Sequence, residues 1–552
     1  MDKNKLFIIL ASMMFFMPFL GQVHLFDWDE INFAEIAREM VISNDYLRPQ
    51  INFQIFTEKP PMFMWLQAAS MNIFGMNEYA SRFPNTIAGI ITLLLLYSAG
   101  KKLYNKQFGL LWAGAYFGSI LPHLYFRSGI IDPWFNLFIF LGIYNVILYY
   151  WKKDQKAELP FNKSKWHYLV LAGVFTGLGI LVKGPVAFLI ISIALGVYWI
   201  LKKFKFYLNV IDFGIFTIVT LLTASIWFGI VTLFNGPQFA IEFTIRQWEL
   251  FSQQDAGHGG FIGYHFVVLF LGVFPASIFM IRSMGKIYQG KPYQNDMRKW
   301  MLILFWVVLI LFSIVSTKII HYSSLAYYPM AYLAALVIYQ MQKGQIKFSL
   351  WMKICLGLIA SIFGIALLAL PWLGMNIHIL KPLLAADPFA VANLNANVNW
   401  TGLEFIPGIW LIITTVVGIY FLHKNKTYKG AIWLFGGTGL FVFFTLTFII
   451  TKIEAITQNA AIEFYETKID CNCYVVSEEY KSYAQLFYTK VKPGLNPLRH
   501  NKTWLRTGEI DKDVYFVAKV TGTKYLEQLD DVTLLYEKNG FTFWERKAHK
   551  NN

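Results

Sequence analysis

A polytopic α-helical membrane protein of about thirteen transmembrane helices, closed by a small extracytoplasmic α/β domain, is the fold class that three observations predict. Apolar residues make up 56% of the 552 and charged residues only 15%, and the mean hydropathy is +0.46. A soluble chain of this length needs more charge to cover its surface, so most of this one must face lipid. Apolar runs long enough to cross a bilayer recur along the chain. Lys and Arg alternate between the loops that join them.

The runs lie near residues 6–23, 83–100, 108–126, 130–151, 168–182, 184–201, 210–234, 261–283, 300–316, 324–341, 351–374, 405–423 and 430–451. The first follows Lys3 and Lys5, as a signal peptide would. No small-x-small cleavage site succeeds it, so it reads as a retained span. The N-terminus and the even-numbered loops carry roughly 23 basic residues, among them Lys101, Lys152, Lys202, Arg298 and Lys424. The opposite loops carry roughly nine over a greater length. This bias places the N-terminus in the cytoplasm, and an odd number of spans then places the tail outside. The net charge of +15 resides mostly in those short loops, which argues against nucleic acid as a partner and for membrane lipid.

Two domains follow: residues 1–451 as the multi-span part and 452–552 as an extracytoplasmic domain. In the tail, 472–476 and 513–520 read as strands and 479–489 as a helix. Segments 532–537 and 541–546 read as a hairpin about Lys538-Asn539-Gly540. Cys355 sits in an apolar run and reads as a packing residue. Cys471 and Cys473 are too close in sequence for an easy disulfide and supply at most half a zinc site, so an inert pair is expected.

The outer loops are the long ones, and long loops beside short basic ones carry function. The first covers about 24–82 and opens on Phe26-Asp27-Trp28-Asp29-Glu30. Asp27 or Asp29 is suited to cap a helix presenting Ile31, Ala34, Met40 and Val41 to the membrane surface. Such a cap accounts for Asp27 and Glu35 better than for three carboxylates crowded where the chain leaves the bilayer. Farther on comes Glu58-Lys59-Pro60-Pro61, whose prolines stop local helix before the next apolar stretch. Arg127, Asp132, Lys183, Lys318, His321 and Tyr322 recur at span ends on the same face. Charges at membrane depth are costly and are functional or paired. Acids and bases converging on one side fit transfer from an anionic lipid carrier. Cations hold the departing phosphate and a carboxylate takes or orients the acceptor's proton.

The ordered set Asp29-Glu30-x-x-x-Ala34-Glu35-Ile36-x-Arg38-Glu39-Met40, Glu58-Lys59-Pro60, Asp132-Pro133 and Lys183-Gly184 resembles the GT-C membrane glycosyltransferases of the lipid A aminoarabinose transferase and protein O-mannosyltransferase type. The order and spacing match over the first 200 residues, and Lys318-x-x-His321-Tyr322 matches more loosely. Trp28 departs from the pattern, where proline is common. The resemblance implies a GT-C-like fold and an inverting hexosyl- or pentosyltransferase in the cytoplasmic (inner) membrane with a periplasmic C-terminal domain. Its donor is a polyprenyl-phosphate-linked sugar and its acceptor a lipid, glycan or protein. Asp29, Glu30 and Asp132 take the catalytic positions, and Lys59, Arg127, Lys183, Lys318 and Tyr322 the donor-phosphate contacts. No cofactor is required; Glu58 and His258 resemble a divalent-cation pair, although two protein ligands are few for a metal. A lipid A-like lipid or glycan is the expected acceptor, with secreted protein as the alternative. A transporter of lipid-linked sugars is the non-enzymatic alternative, and it lacks the internal repeat such folds favour.

Overall fold

The computed structural model describes residues 2–154, 160–252, 259–288, 290–494 and 496–548. Every apolar run is helical. Eight helices among the described residues are long and apolar enough to cross a membrane, including Glu78–Leu103, Asp132–Asp154, Lys165–Lys183 and Leu350–Met375. A ninth arises if Tyr264–Gly272 and Ala276–Ser283 form one span bent by 115°. Pro275 stands at that break, where a missing N–H and the ring's bulk interrupt a helix. The remaining runs form shorter helices: Lys3–Phe16, Lys106–Phe117 followed by Ile120–Tyr125, Val186–Leu201 and Tyr327–Gln342.

Close packing in lipid relies on small residues, because lipid tails are as apolar as Leu. The helix Lys165–Lys183 shows it. A Cβ on Gly173 would lie 2.7 Å from the Val219 Cβ, and one on Gly177 would lie 2.5 Å from the Thr223 Cβ. These two glycines, one turn apart, let Val210–Asn235 lie directly against the helix. On its other side Lys165–Lys183 packs on Asp132–Asp154, which is buried along almost its whole length. The ends of these two helices carry Asp132 and Lys183 to one place.

The long loop after the first helix holds a helix Asp29–Ser43, a short antiparallel pair of strands Gln50–Ile51 and Gln54–Ile55, and a helix Met62–Phe74. The apolar face of the helix Asp29–Ser43, expected to be presented to the membrane surface, is covered by protein. Every residue from Glu30 to Met40 is buried, because Met62–Phe74 and the C-terminal domain's helix Ala484–Tyr488 both pack on it. No side chain caps it: Trp28 occupies the cap position, and the Asp27 carboxylate instead accepts a 2.6 Å hydrogen bond from Ser482. Inside this helix Arg38 forks onto Glu35 through two 2.6 Å hydrogen bonds and donates to the Val491 carbonyl at 2.9 Å.

One turn on, burial and then the Glu35 carboxylate push Glu39 up to about 9. A carboxyl raised in the folded state contributes stability that is complete below its ordinary value near 4.5 and is lost as pH climbs towards 9. Glu39→Gln is therefore expected to flatten the pH dependence of the unfolding temperature between pH 5 and 9. The variant should gain on the wild type as pH rises, and thermal scans across that range check it.

The C-terminal part forms a four-stranded sheet in the order Tyr474–Glu478, Val514–Lys519, Phe541–Arg546, Val532–Lys538, with the first pair parallel and the others antiparallel. Asn539 and Gly540 adopt the left-handed φ values of 47° and 81° that a two-residue hairpin turn needs. The helix expected over 479–489 is only Ala484–Tyr488, and Glu479 before it has φ of 57°. Cys471 and Cys473 are disulfide-bonded rather than separate, since the turn before the first strand brings their Cα atoms to 5.3 Å. Cys355 is a free, partly buried packing residue.

Candidate active site

Where the long loop after the first helix meets the helix ends, a cavity of about 580 Å³ opens. Asp29, Lys59, Lys183, His321 and Tyr322 line it. Asp29 is the first residue of its helix, and with no backbone N–H to cap its carboxylate stays 32% exposed to the cavity. The Asp29 Oδ2 lies 3.3 Å from the Nε2 of His321, which sits in the short 3-10 turn Ile320–Ala326. That same nitrogen is 4.0 Å from Asp132 Oδ2. Asp132 begins its helix, where a carboxylate suits the positive end and Pro133 suits the first turn. Lys183 ends the helix Lys165–Lys183, and its Nζ donates to Asp132 Oδ1 at 2.7 Å. Two carboxylates, an imidazole and an ammonium thus form a continuous row. The Asp132 Oδ2 is buried and accepts no hydrogen bond among the described residues.

Lys59 completes the cluster from the loop side. It makes no hydrogen bond or ion pair among the described residues. Burial and the nearby Lys183 ammonium hold its pKa below the ordinary lysine value, against the pull of Glu58 and Asp29. Its position is fixed by Pro60 and by Pro61, which caps the helix Met62–Phe74. Burial likewise holds the His321 imidazole below its ordinary value, against the upward pull of Asp132 and Asp29, with Lys183 and Lys59 adding to the downward shift. His321 is therefore a neutral ring at pH 7. Tyr322 lies beside the ammonium of Lys183, 5.1 Å from it to the ring centre.

The other expected residues are placed differently. Glu30 borders the cavity but is held in a buried fork by Arg82, with hydrogen bonds of 2.8 and 2.7 Å. It also accepts from the amides of Phe26 (3.0 Å) and Gly129 (2.6 Å). Gly129 is needed there, because a Cβ would lie 2.9 Å from the Glu30 Cγ. With both oxygens engaged, Glu30 braces the loop rather than facing a substrate. Arg127 lines the cavity wall, yet its guanidinium donates to the carbonyls of Phe15 and Pro18. Lys318 is turned away: its ammonium donates to the carbonyls of Phe312, Ser313 and Val315 at the end of Pro292–Ile314. A cation at that negative helix end is satisfied locally. Glu58 pairs with Arg246 at 3.3 Å, and His258 lies outside the described residues.

Arg82 and Arg246 were not singled out by the sequence pattern. Arg82 is the lone cation at the start of the second span, opposite a loop with excess acid, which is the trace it leaves. Arg246 sits in a helix, Gln238–Ser252, that only the folded chain brings over Glu58.

A sequence profile of the dolichyl-phosphate-mannose-protein mannosyltransferase family matches residues 58–227. The chain is 25% identical over 442 residues to the undecaprenyl phosphate-alpha-4-amino-4-deoxy-L-arabinose arabinosyl transferase of Pectobacterium carotovorum, covering 75% of each chain. It is 25% identical over 495 residues to the protein of the same name from Pectobacterium atrosepticum, covering 86% of this chain and 81% of the other. Its fold matches the crystal structure of ArnT from Cupriavidus metallidurans bound to undecaprenyl phosphate with a TM-score of 0.77 at 15% identity, over 99% of this chain and 98% of that one. The apo crystal structure of the same protein matches with a TM-score of 0.76 at 14% identity, over 98% and 97%. The chain has the GT-C fold of the aminoarabinose transferases, and its likeness is to membrane glycosyltransferases of the lipid A aminoarabinose transferase and protein O-mannosyltransferase type.

Proposed function

We propose that this protein transfers a sugar from undecaprenyl phosphate, or a similar polyprenyl-phosphate carrier, to an envelope acceptor of the lipid A type. The observation that carries the reading is one cavity holding a carboxylate, Asp29, that caps no backbone amide and a lysine, Lys59, that makes no hydrogen bond or ion pair among the described residues. The relatives named for an undecaprenyl phosphate-linked aminoarabinose support the polyprenyl-phosphate donor. The charge bias of the loops supports a cytoplasmic N-terminus, with the cavity and the C-terminal domain on the periplasmic side. The disulfide in that domain fits an oxidising compartment. We take all thirteen apolar helical segments as crossings on the same grounds.

In the reaction an acceptor oxygen attacks the anomeric carbon from the face opposite the carrier, so the configuration inverts. The bond from that carbon to the carrier phosphate oxygen breaks, and its electron pair leaves with the phosphate. Lys59, with Lys183 and Tyr322, stabilises the charge that grows on the departing phosphate. Asp29 takes the proton of an acceptor hydroxyl, or orients an acceptor phosphate that is already ionised. His321, whose Nε2 lies 3.3 Å from the Asp29 carboxylate, orients that carboxylate, and Asp132 positions Lys183.

Lys59→Ala is expected to lower kcat/KM for the donor by about tenfold to a hundredfold, with Lys59→Arg retaining more. Steady-state kinetics with varied undecaprenyl-phosphate sugar measure it. A Lys59→Ala enzyme with wild-type kinetics would remove Lys59 from the phosphate site. The residues around Glu58 fit a dication poorly, since Arg246 already pairs with its carboxylate and Lys59 stands beside it. No step is assigned to a metal, and turnover is expected to survive EDTA unchanged. The transferase reading itself is tested by release of undecaprenyl phosphate from the sugar-loaded carrier by the purified protein.

A further inference from the structure

A second, larger hollow lies in the C-terminal domain, with a volume of about 1400 Å³. Between residues 452 and 552 the chain has fifteen Lys and Arg against fourteen Asp and Glu, so the domain is close to neutral. The hollow is not: eight of those cations line it, with only three acids, Asp470, Glu479 and Asp511. Some of its cations are fixed by the protein. Arg499 donates to Asn52 Oδ1 at 3.0 Å and to the Lys492 carbonyl at 3.1 Å, and Lys502 donates to the Ser477 carbonyl at 2.9 Å. The ammonium groups of Lys490 and Lys512 make no hydrogen bond or ion pair among the described residues. Concentrating one sign of charge in a concave surface raises the local potential and draws in the opposite sign.

This cleft and the catalytic cavity share a wall. Trp28 and Asp27 line the cavity; Lys481, Ser482 and Tyr483 line the cleft. Across the wall Ser482 donates to Asp27 at 2.6 Å, Trp28 packs on Tyr483 with ring centres 5.8 Å apart, and the Lys481 ammonium lies 4.6 Å from the Trp28 ring centre. Trp28 is itself exposed. An aromatic face and a cation at the boundary suit the face of a sugar ring and a phosphate attached to it.

We propose that the basic cleft binds the phosphorylated saccharide head group of the acceptor and feeds its reacting group past Trp28 to Asp29. The proposal rests on the transferase reading above and extends it by assigning the C-terminal domain acceptor recognition. The observations favour a head group over bilayer surface, because the cleft is continuous with the catalytic cavity's wall.

The test is binding of a bisphosphorylated lipid A-type disaccharide lipid, in detergent, to the full-length protein. The double variant Lys490→Glu/Lys512→Glu is compared with Lys524→Glu/Lys547→Glu, which changes the net charge equally at exposed sites outside the cleft. The cleft variant is expected to weaken binding at least tenfold and the control less than twofold, with removal of the probe's phosphates weakening wild-type binding likewise. Equal affinities for wild type and cleft variant, or an equal loss in both variants, would overturn the proposal. So would phosphatidylglycerol vesicles competing as well as the probe, since that marks a general anionic surface. If the probe binds through the cleft while no donor turns over, the transferase reading fails and the cleft stands. If turnover depends on Asp29 while the cleft variant binds normally, the cleft proposal fails alone.

Discussion

Asp29→Asn is expected to lower turnover by about a thousandfold while leaving expression and unfolding temperature at wild-type values. The substitution keeps the side chain's shape and its place at the head of the helix Asp29–Ser43, and removes only the basicity and charge that face the cavity. Since no backbone amide is capped by this partly exposed carboxylate, the fold loses little when it is neutralised. A variant that keeps full activity sinks the assignment of Asp29. The shape of the pH–rate profile separates acceptor classes: a hydroxyl acceptor requires Asp29 as a base and gives an acid limb, whereas an ionised phosphate does not.

The second large effect falls on folding. Arg82→Ala is expected to destabilise the protein by about 3–5 kcal/mol, the usual cost of stripping one partner from a buried ion pair. Glu30 and Arg82 are each only 7% exposed along their side chains. Burial pushes the Glu30 carboxyl up, but Arg82 and the amides of Phe26 and Gly129 outweigh it and hold the pKa below the ordinary value. Without the guanidinium a charge is left inside the protein. Arg82 also ties the carbonyls of Leu20, Val23 and His24, so the turn from the first helix into the loop loosens with it. Glu30→Gln/Arg82→Met leaves no unpaired charge and is expected to cost less than Arg82→Ala alone. A double variant no more stable than Arg82→Ala, by thermal unfolding, contradicts this account of the pair.

These two acids, adjacent in the chain, show what a linear pattern carries. Asp29 and Glu30 are equally acidic and both stand at the exit from the bilayer, so the sequence marks the pair and not the division of labour. The division is made by Arg82, 52 residues from Glu30, and by Gly129, 99 residues away. The apolar helices were legible because lipid imposes a long apolar run on each crossing, and the tail's hairpin because Asn539-Gly540 suits a two-residue turn. The enclosure of Asp29–Ser43 was not, because it depends on a domain more than 400 residues distant, as the Asp27–Ser482 bond shows. Lys318 misled for a local reason: its distance from the end of Pro292–Ile314 lets the ammonium fold back onto that helix's carbonyls. Lys59 and Lys183, expected as donor-phosphate contacts, meet at one cavity because short helix-end motifs fix them.

The most direct measurement is a paired mass balance. Purified protein is given a panel of undecaprenyl-phosphate sugars, each with a lipid A-type acceptor, and free undecaprenyl phosphate and sugar-bearing acceptor are quantified by mass spectrometry in the same reaction. The two products are expected to appear in equal amounts, to need the acceptor, and to vanish together in Asp29→Asn. Carrier released without glycosylated acceptor, or equal yields from Asp29→Asn and wild type, would contradict the transferase reading.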